Sequence, residues 1–179
     1  MHAFGALTPV EVARGRLLRA VRPIDRVERI PVEAAFGRVA ARTVRAPIPI
    51  PTFARTTWDG YALRSVDTRS ARRSRPITLR VVGEVFAEQA YPGRIGPGET
   101  VAIATGGAVP RGADAVVIFE EVDRVGSRIR VKRPLNPGER IDRPGHDFPR
   151  GALLLREGEE LTATALGTLG ACGVPRVSV

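Results

Sequence analysis

At 179 residues, 43% of them hydrophobic, the chain is long enough for one sizeable core or two small ones and too apolar to be disordered. No stretch approaches the roughly 20 uninterrupted apolar residues that span a bilayer, and Met1 to Arg14 lacks the basic start and apolar centre of a secretory signal, so a cytoplasmic location with no membrane span is expected. One cysteine, Cys172, excludes an intramolecular disulfide and a thiolate metal cluster, and the net charge of +9 is carried by scattered arginines with a single lysine, Lys132, which argues against a nucleic-acid partner.

Thr8-Pro9-Val10-Glu11 reads as a helix start, with Thr8 as cap and Glu11 reaching back to it. The helix runs to about Val21. Its apolar positions Val10, Ala13, Leu17, Leu18 and Val21 keep helical spacing and predict a face packed on another element. Ile30 to Val32 reads as a strand, Glu33 to Phe36 as a helical turn ended by Gly37, and Val39 to Val44 as extended chain. Pro47, Pro49 and Pro51 then impose an extended connector.

A solvated loop is expected around Arg69, Arg72, Arg73 and Arg75, because no aromatic residue is interleaved with them. Short β runs follow at Ile77–Phe86, Thr100–Ala104, Ala115–Phe119 and Arg128–Val131, separated by Gly and Pro turns. Strands this closely spaced imply a barrel or sandwich. Past Asn136-Pro137-Gly138 the pattern returns to a strand at Ala152–Leu155, a helix at Ala163–Ala171 and an apolar alternation over Val174–Val179. Cys172, in a run of small residues, reads as a buried, inert thiol. The expected fold class is therefore α+β. A mixed α/β domain is formed by both ends of the chain, 1–47 and 142–179, with an all-β, barrel-like domain inserted at 48–141.

Two segments carry residue choices that suggest chemistry. In the first, Asp59-Gly60 is a turn-forming pair flanked by the hydroxyls of Thr56 and Thr57 and the aromatics Phe53, Trp58 and Tyr61. It reads either as a turn held by the Asp side chain or as a carboxylate poised for a hard cation such as Mg²⁺. In the second, Thr105-Gly106-Gly107 is either a tight structural turn or a nest of backbone amides for an anion. With His2 and His146 the only histidines, transition-metal ligation is not expected.

Taken together the two segments are more specific than either alone. Phe53…Thr56-Thr57-Trp58-Asp59-Gly60-Tyr61-Ala62 and Ile103-Ala104-Thr105-Gly106-Gly107…Pro110-Arg111-Gly112-Ala113-Asp114-Ala115-Val116-Val117…Glu120 resemble, in order, two signatures of the molybdopterin molybdotransferases, the MoeA and gephyrin E-domain family. Gly145-His146-Asp147-Phe148…Gly151 is similar to a later motif of that family, with His146 where Glu is usual.

The resemblance implies an enzyme that takes adenylated molybdopterin and molybdate, with Mg²⁺, and releases molybdenum cofactor and AMP. It implies Asp59 and Thr105 as catalytic residues, Asp59 also as metal ligand, and Thr56, Thr57, Gly60, Tyr61, Gly106 and Gly107 as substrate-binding residues. A homodimer is implied for the full-length protein, with small molecules as its substrates. The family continues into a pterin-binding domain that this chain does not reach, so the isolated chain is expected to be inactive or nearly so. A non-catalytic scaffold module of the gephyrin type is the alternative.

Overall fold

The computed structural model describes residues 8–87 and 89–179, leaving His2, the rest of the first seven residues and Glu88 outside. In chain order the elements are α1 (Val10–Ala20), β1 (Arg29–Pro31), β2 (Val44–Arg45), β3 (Arg55–Thr56), β4 (Gly60–Leu63), β5 (Ile77–Val85), β6 (Glu99–Ile103) and β7 (Ala115–Ile118). These are followed by β8 (Val122–Val125), β9 (Arg128–Val131), β10 (Ile141–Asp142), β11 (Leu153–Leu155), α2 (Ala163–Ala171) and β12 (Arg176–Ser178). The molecule is thus α+β and dominated by strands.

The largest sheet has six strands in the order β7-β4-β6-β5-β9-β8. All its pairings are antiparallel except β5 with β6. β7 and β8 occupy opposite edges of this sheet, yet only a 3-10 turn at Phe119–Glu121 joins them. Laid flat, six strands would hold those edges about 24 Å apart. Three residues reach only about 10 Å, so the sheet must curl until its edges approach.

Side-chain alternation then decides which residues fill the curl. Tyr61 and Leu63 of β4 join Leu79, Ala115, Val117, Ile129, Val131 and Leu135 in one apolar cluster. The intervening Ala62 joins Val85, Ile95, Val101, Ile103 and Val116 in another. β4 is therefore buried on both faces.

The two ends of the chain are woven together. β1 pairs with β12 and β2 with β11, both antiparallel. Val32, Ala35, Ala40, Leu155, Leu161, Leu169, Val177 and Val179 form a third cluster, against which Ile30, Val44 and Val174 pack. α2 closes it with Leu169, and its start is capped by Thr162, whose hydroxyl accepts the Ala165 amide at 3.2 Å. Cys172 is buried beside this helix, and burial pushes its thiol above the ordinary value, as expected of an inert cysteine.

α1 departs from expectation in two ways. Pro9, not Thr8, sits at its cap position, no side chain caps it, and Glu11 faces Arg14 at 3.8 Å instead of reaching back. Pro9 has no amide to offer, which removes one donor a cap would have served. More consequentially, none of its residues is buried: Val10, Leu17, Leu18 and Val21 are each at least 65% exposed. The predicted apolar face exists, but within the described residues it packs on nothing. Arg69, Arg72, Arg73 and Arg75 lie in an exposed turn closed by reciprocal backbone hydrogen bonds between Arg72 and Arg75, which is the solvated loop the sequence suggested.

Candidate functional site

The segment read as a loop around Asp59 is half strand. Gly60 to Leu63 form β4 at the heart of the sheet, and Asp59 is the last residue before it. Gly60 is required here by close approach, since a Cβ would lie far inside van der Waals contact with the Val117 carbonyl oxygen on the neighbouring strand. Ahead of β4, the buried Thr56 hydroxyl donates to the Trp58 carbonyl at 2.8 Å and accepts the Trp58 amide at 3.2 Å, closing the turn that delivers Asp59. Tyr61 is buried, its ring edge-on to Phe119 with centroids 4.9 Å apart.

The glycine loop lies directly against this turn. The Val109 amide donates to Ala54 O at 2.9 Å, Thr56 N to Gly107 O at 3.1 Å, and Gly106 N to Thr56 O at 3.0 Å. These bonds zip the two motifs together although dozens of residues separate them. Gly106 has φ +80°, and a Cβ on Gly107 would crowd Ala104 O and Ile103 Cγ1. Both glycines thus serve the tight turn.

At the end of the zipper the Thr105 amide and hydroxyl both donate to Asp59 Oδ1, at 2.7 and 2.8 Å. These two bonds, the amide first, hold the Asp59 carboxyl below its ordinary value. The open nest suggested by Thr105-Gly106-Gly107 is absent. All three amides are taken within the chain, by Asp59 Oδ1, Thr56 O and Ala104 O. The anion that Thr105 binds is the Asp59 carboxylate itself. Among the described residues, Asp59 Oδ2 accepts no hydrogen bond and remains available.

Asp59 lines a small open cavity of about 170 Å³ with Glu84, Val85, Phe86, Ala102, Ile103, Ala104 and Phe119. Glu84, Phe86 and Phe119 were not singled out in the sequence, since they lie on other strands and turns and nothing in their spacing ties them to Asp59. Of the expected site residues, the structure brings together Asp59, Thr105, Thr56, Gly106 and Gly107. Thr57 lies beside them, its hydroxyl 3.5 Å from Arg140 O, whereas Gly60 and Tyr61 are buried beneath.

The third motif joins through Arg55, whose guanidinium reaches Asp147 Oδ2 at 3.0 Å and Asp142 Oδ2 at 3.4 Å. Asp142, His146 and Asp147 have potential ligand atoms within 4.8 Å of one another. The Arg55 guanidinium already supplies the positive charge there. In the second motif, Asp114 is structural: its carboxylate accepts the Ser65 amide at 2.6 Å and hydroxyl at 2.8 Å.

The family described as MoeA N-terminal region (domain I and II) matches residues 8–173. A molybdopterin molybdenumtransferase of Synechococcus elongatus is 36% identical over 154 residues, 86% of this chain and 38% of that protein. Molybdopterin molybdenumtransferase 2 of Mycobacterium tuberculosis is 33% identical over 163 residues, 91% of this chain and 39% of that protein. A crystal structure of a molybdopterin biosynthesis MoeA protein from Pyrococcus horikoshii superposes with a TM-score of 0.90 at 37% identity, covering 97% of this chain and 46% of the other. The chain spans less than half the length of these relatives.

Proposed function

Because the chain belongs to the MoeA N-terminal region family, we propose that it is the N-terminal part of an enzyme that inserts molybdate into adenylated molybdopterin with release of AMP. The observation that carries this reading is the Asp59–Thr105 pair, two exposed residues from separate family motifs joined by two short hydrogen bonds. Thr105 fixes the carboxylate through Oδ1 and keeps it ionised, leaving Oδ2 to act. Thr56 and Thr57 shape the turn, Gly106 and Gly107 let the second loop close on it, and Gly60 and Tyr61 anchor it from below.

Mg²⁺ fits a site of this kind. A hard cation that keeps several waters and shares substrate phosphates needs only one or two protein carboxylates, and Asp59 Oδ2 would be the one from this chain. When bound, the cation would neutralise charge on an adenylated substrate's phosphates. Asp59 holds and orients, its carboxyl kept below its ordinary value by the two bonds from Thr105.

The reading further divides the chain into a 1–47 plus 142–179 domain and an inserted 48–141 barrel-like domain. The separation of the apolar clusters supports this division, one built from residues 32–40 and 155–179 and two from residues 61–135. A homodimer belongs to the same reading, supported by the bare face of α1, as does a cytoplasmic location.

The test is a chimera in which residues 8–173 replace the matching region of the M. tuberculosis relative. We expect molybdate-dependent formation of molybdenum cofactor by the chimera. Asp59→Ala should abolish it with the melting temperature unchanged. Retained activity in Asp59→Ala would remove the assigned role.

A further inference from the structure

Arg140 is a non-glycine residue with φ +57°, a left-handed conformation that L side chains rarely adopt and that persists only where the surroundings enforce it. It immediately precedes β10, which pairs with β3 in the register Ile141 to Thr56 and Asp142 to Arg55. The left-handed turn aims its carbonyl at the Asp59 turn. That oxygen accepts the Thr57 amide at 3.3 Å and lies 3.4 and 3.5 Å from the Thr56 and Thr57 hydroxyls.

The Arg140 side chain reaches a second turn. Its guanidinium donates to Glu121 Oε1 at 2.6 Å and to Glu139 Oε1 at 3.1 Å, and Arg133 bridges the same two carboxylates at 2.6 Å each. Glu121 closes the Phe119–Glu121 turn. The first residue of that turn, Phe119, packs on Tyr61 and lines the Asp59 cavity. One residue therefore holds the turn that carries Asp59 by its backbone, and the turn that carries Phe119 by its side chain.

We propose that Arg140 is a positioning residue of the Asp59 site, a role its left-handed backbone and its Glu121–Glu139 clamp perform together. The clamp locks the conformation, and the conformation aims the carbonyl. The Thr56–Asp59 turn is thereby held where Asp59 meets Thr105. The assignment rests on Asp59 and Thr105 being the working pair.

Backbone amide exchange, followed by NMR on the 179-residue chain without substrate, reads this positioning separately from the reaction. Arg140→Val drops the clamp and disfavours the left-handed backbone, Arg140→Gly drops only the clamp, and Arg140→Lys keeps a cation beside Glu121. We expect the Thr57 and Thr105 amides to exchange at least tenfold faster in Arg140→Val and several-fold faster in Arg140→Gly. In Arg140→Lys they should stay within about twofold of wild type, with the amide of Leu79, buried on β5 between β6 and β9, unchanged throughout.

Thr105 shares no hydrogen bond with Arg140, its amide and hydroxyl both going to Asp59, so acceleration there reports the relayed position of Asp59 and not a local packing defect. Thr105 rates within twofold of wild type in both Gly and Val variants would overturn the assignment. So would equal acceleration at Leu79, or a Lys variant as loose as Val. Should Arg140→Val not fold, the Gly and Lys variants decide it. Loss of activity in Asp59→Ala with no change of Thr105 exchange in the Arg140 variants would refute the positioning role while leaving the catalytic reading intact.

Discussion

Gly60 and Asp59 are neighbours with opposite demands: one must be bare because a strand presses against it, the other must project from the same turn. Replacing Gly60 by Ala drives a methyl group into the Val117 carbonyl. Overpacking of this kind costs about 1–3 kcal/mol, which in a chain of this size lowers the melting temperature by roughly 2–12 °C, measurable by calorimetry. Thr105→Val removes the hydroxyl and keeps the amide, the larger of the two causes of the lowered Asp59 value. A ¹³C carboxyl titration should therefore find Asp59 shifted upward but still below an ordinary aspartate. A return to the full ordinary value would show that the amide bond does not form without the hydroxyl. None of this was readable from residue spacing. Asp59-Gly60 and Thr105-Gly106-Gly107 each look like common turns, and the bond between them crosses 46 positions.

Between elements, the Arg133–Glu121–Arg140–Glu139 cluster ties the Phe119–Glu121 turn to the segment entering β10. Burial pushes Glu121 and Glu139 up, but hydrogen bonds and charge from Arg140 and Arg133 outweigh it, so both carboxyls lie below their ordinary value. Groups with lowered folded values stabilise the fold fully above the unfolded carboxylate value, about 4.3 for Glu, and lose that stabilisation as pH falls through the folded value. Stability should thus be flat in this respect from pH 6 to 8 and decline below about pH 4. Glu121→Gln should cost about 1 kcal/mol at neutral pH, a modest figure because the groups are partly exposed. It should also shrink the acid-side decline in a urea titration series.

The elements themselves were unevenly legible. α2 and β9 fall where helical periodicity and β propensity put them, and β5, β6 and β7 within one residue. β4 was hidden because Asp-Gly is a strong turn signal and four residues are too few to show alternation. β8 was hidden because three of its four side chains are exposed and polar or flank a turn.

At the scale of the molecule, α1 leaves Leu17 and Leu18 in solvent beside Val10 and Val21. Since neither leucine is buried, changing both to Asp should leave the monomer's melting temperature within about 2 °C. If the face is a contact between copies, the same change should shift the protein to monomer in sedimentation over a range of concentrations. Unaltered association would exclude α1 from that contact. The sequence foresaw this apolar face but not that it stays exposed among the described residues, because periodicity shows which side of a helix is apolar and says nothing of what meets it.

The curled sheet has one more effect. β7, Ala-Val-Val-Ile, is an uncharged, β-branched strand at the end of its sheet, the kind of sequence that, left open, templates pairing between molecules and leads to aggregation. Curling brings the chain past it, and the Val116 amide is taken by Glu139 O at 3.0 Å, while the other edge, β8, faces solvent with Asp123 and Arg124. The segment that leads into Arg140 therefore also shields an edge strand able to nucleate aggregates.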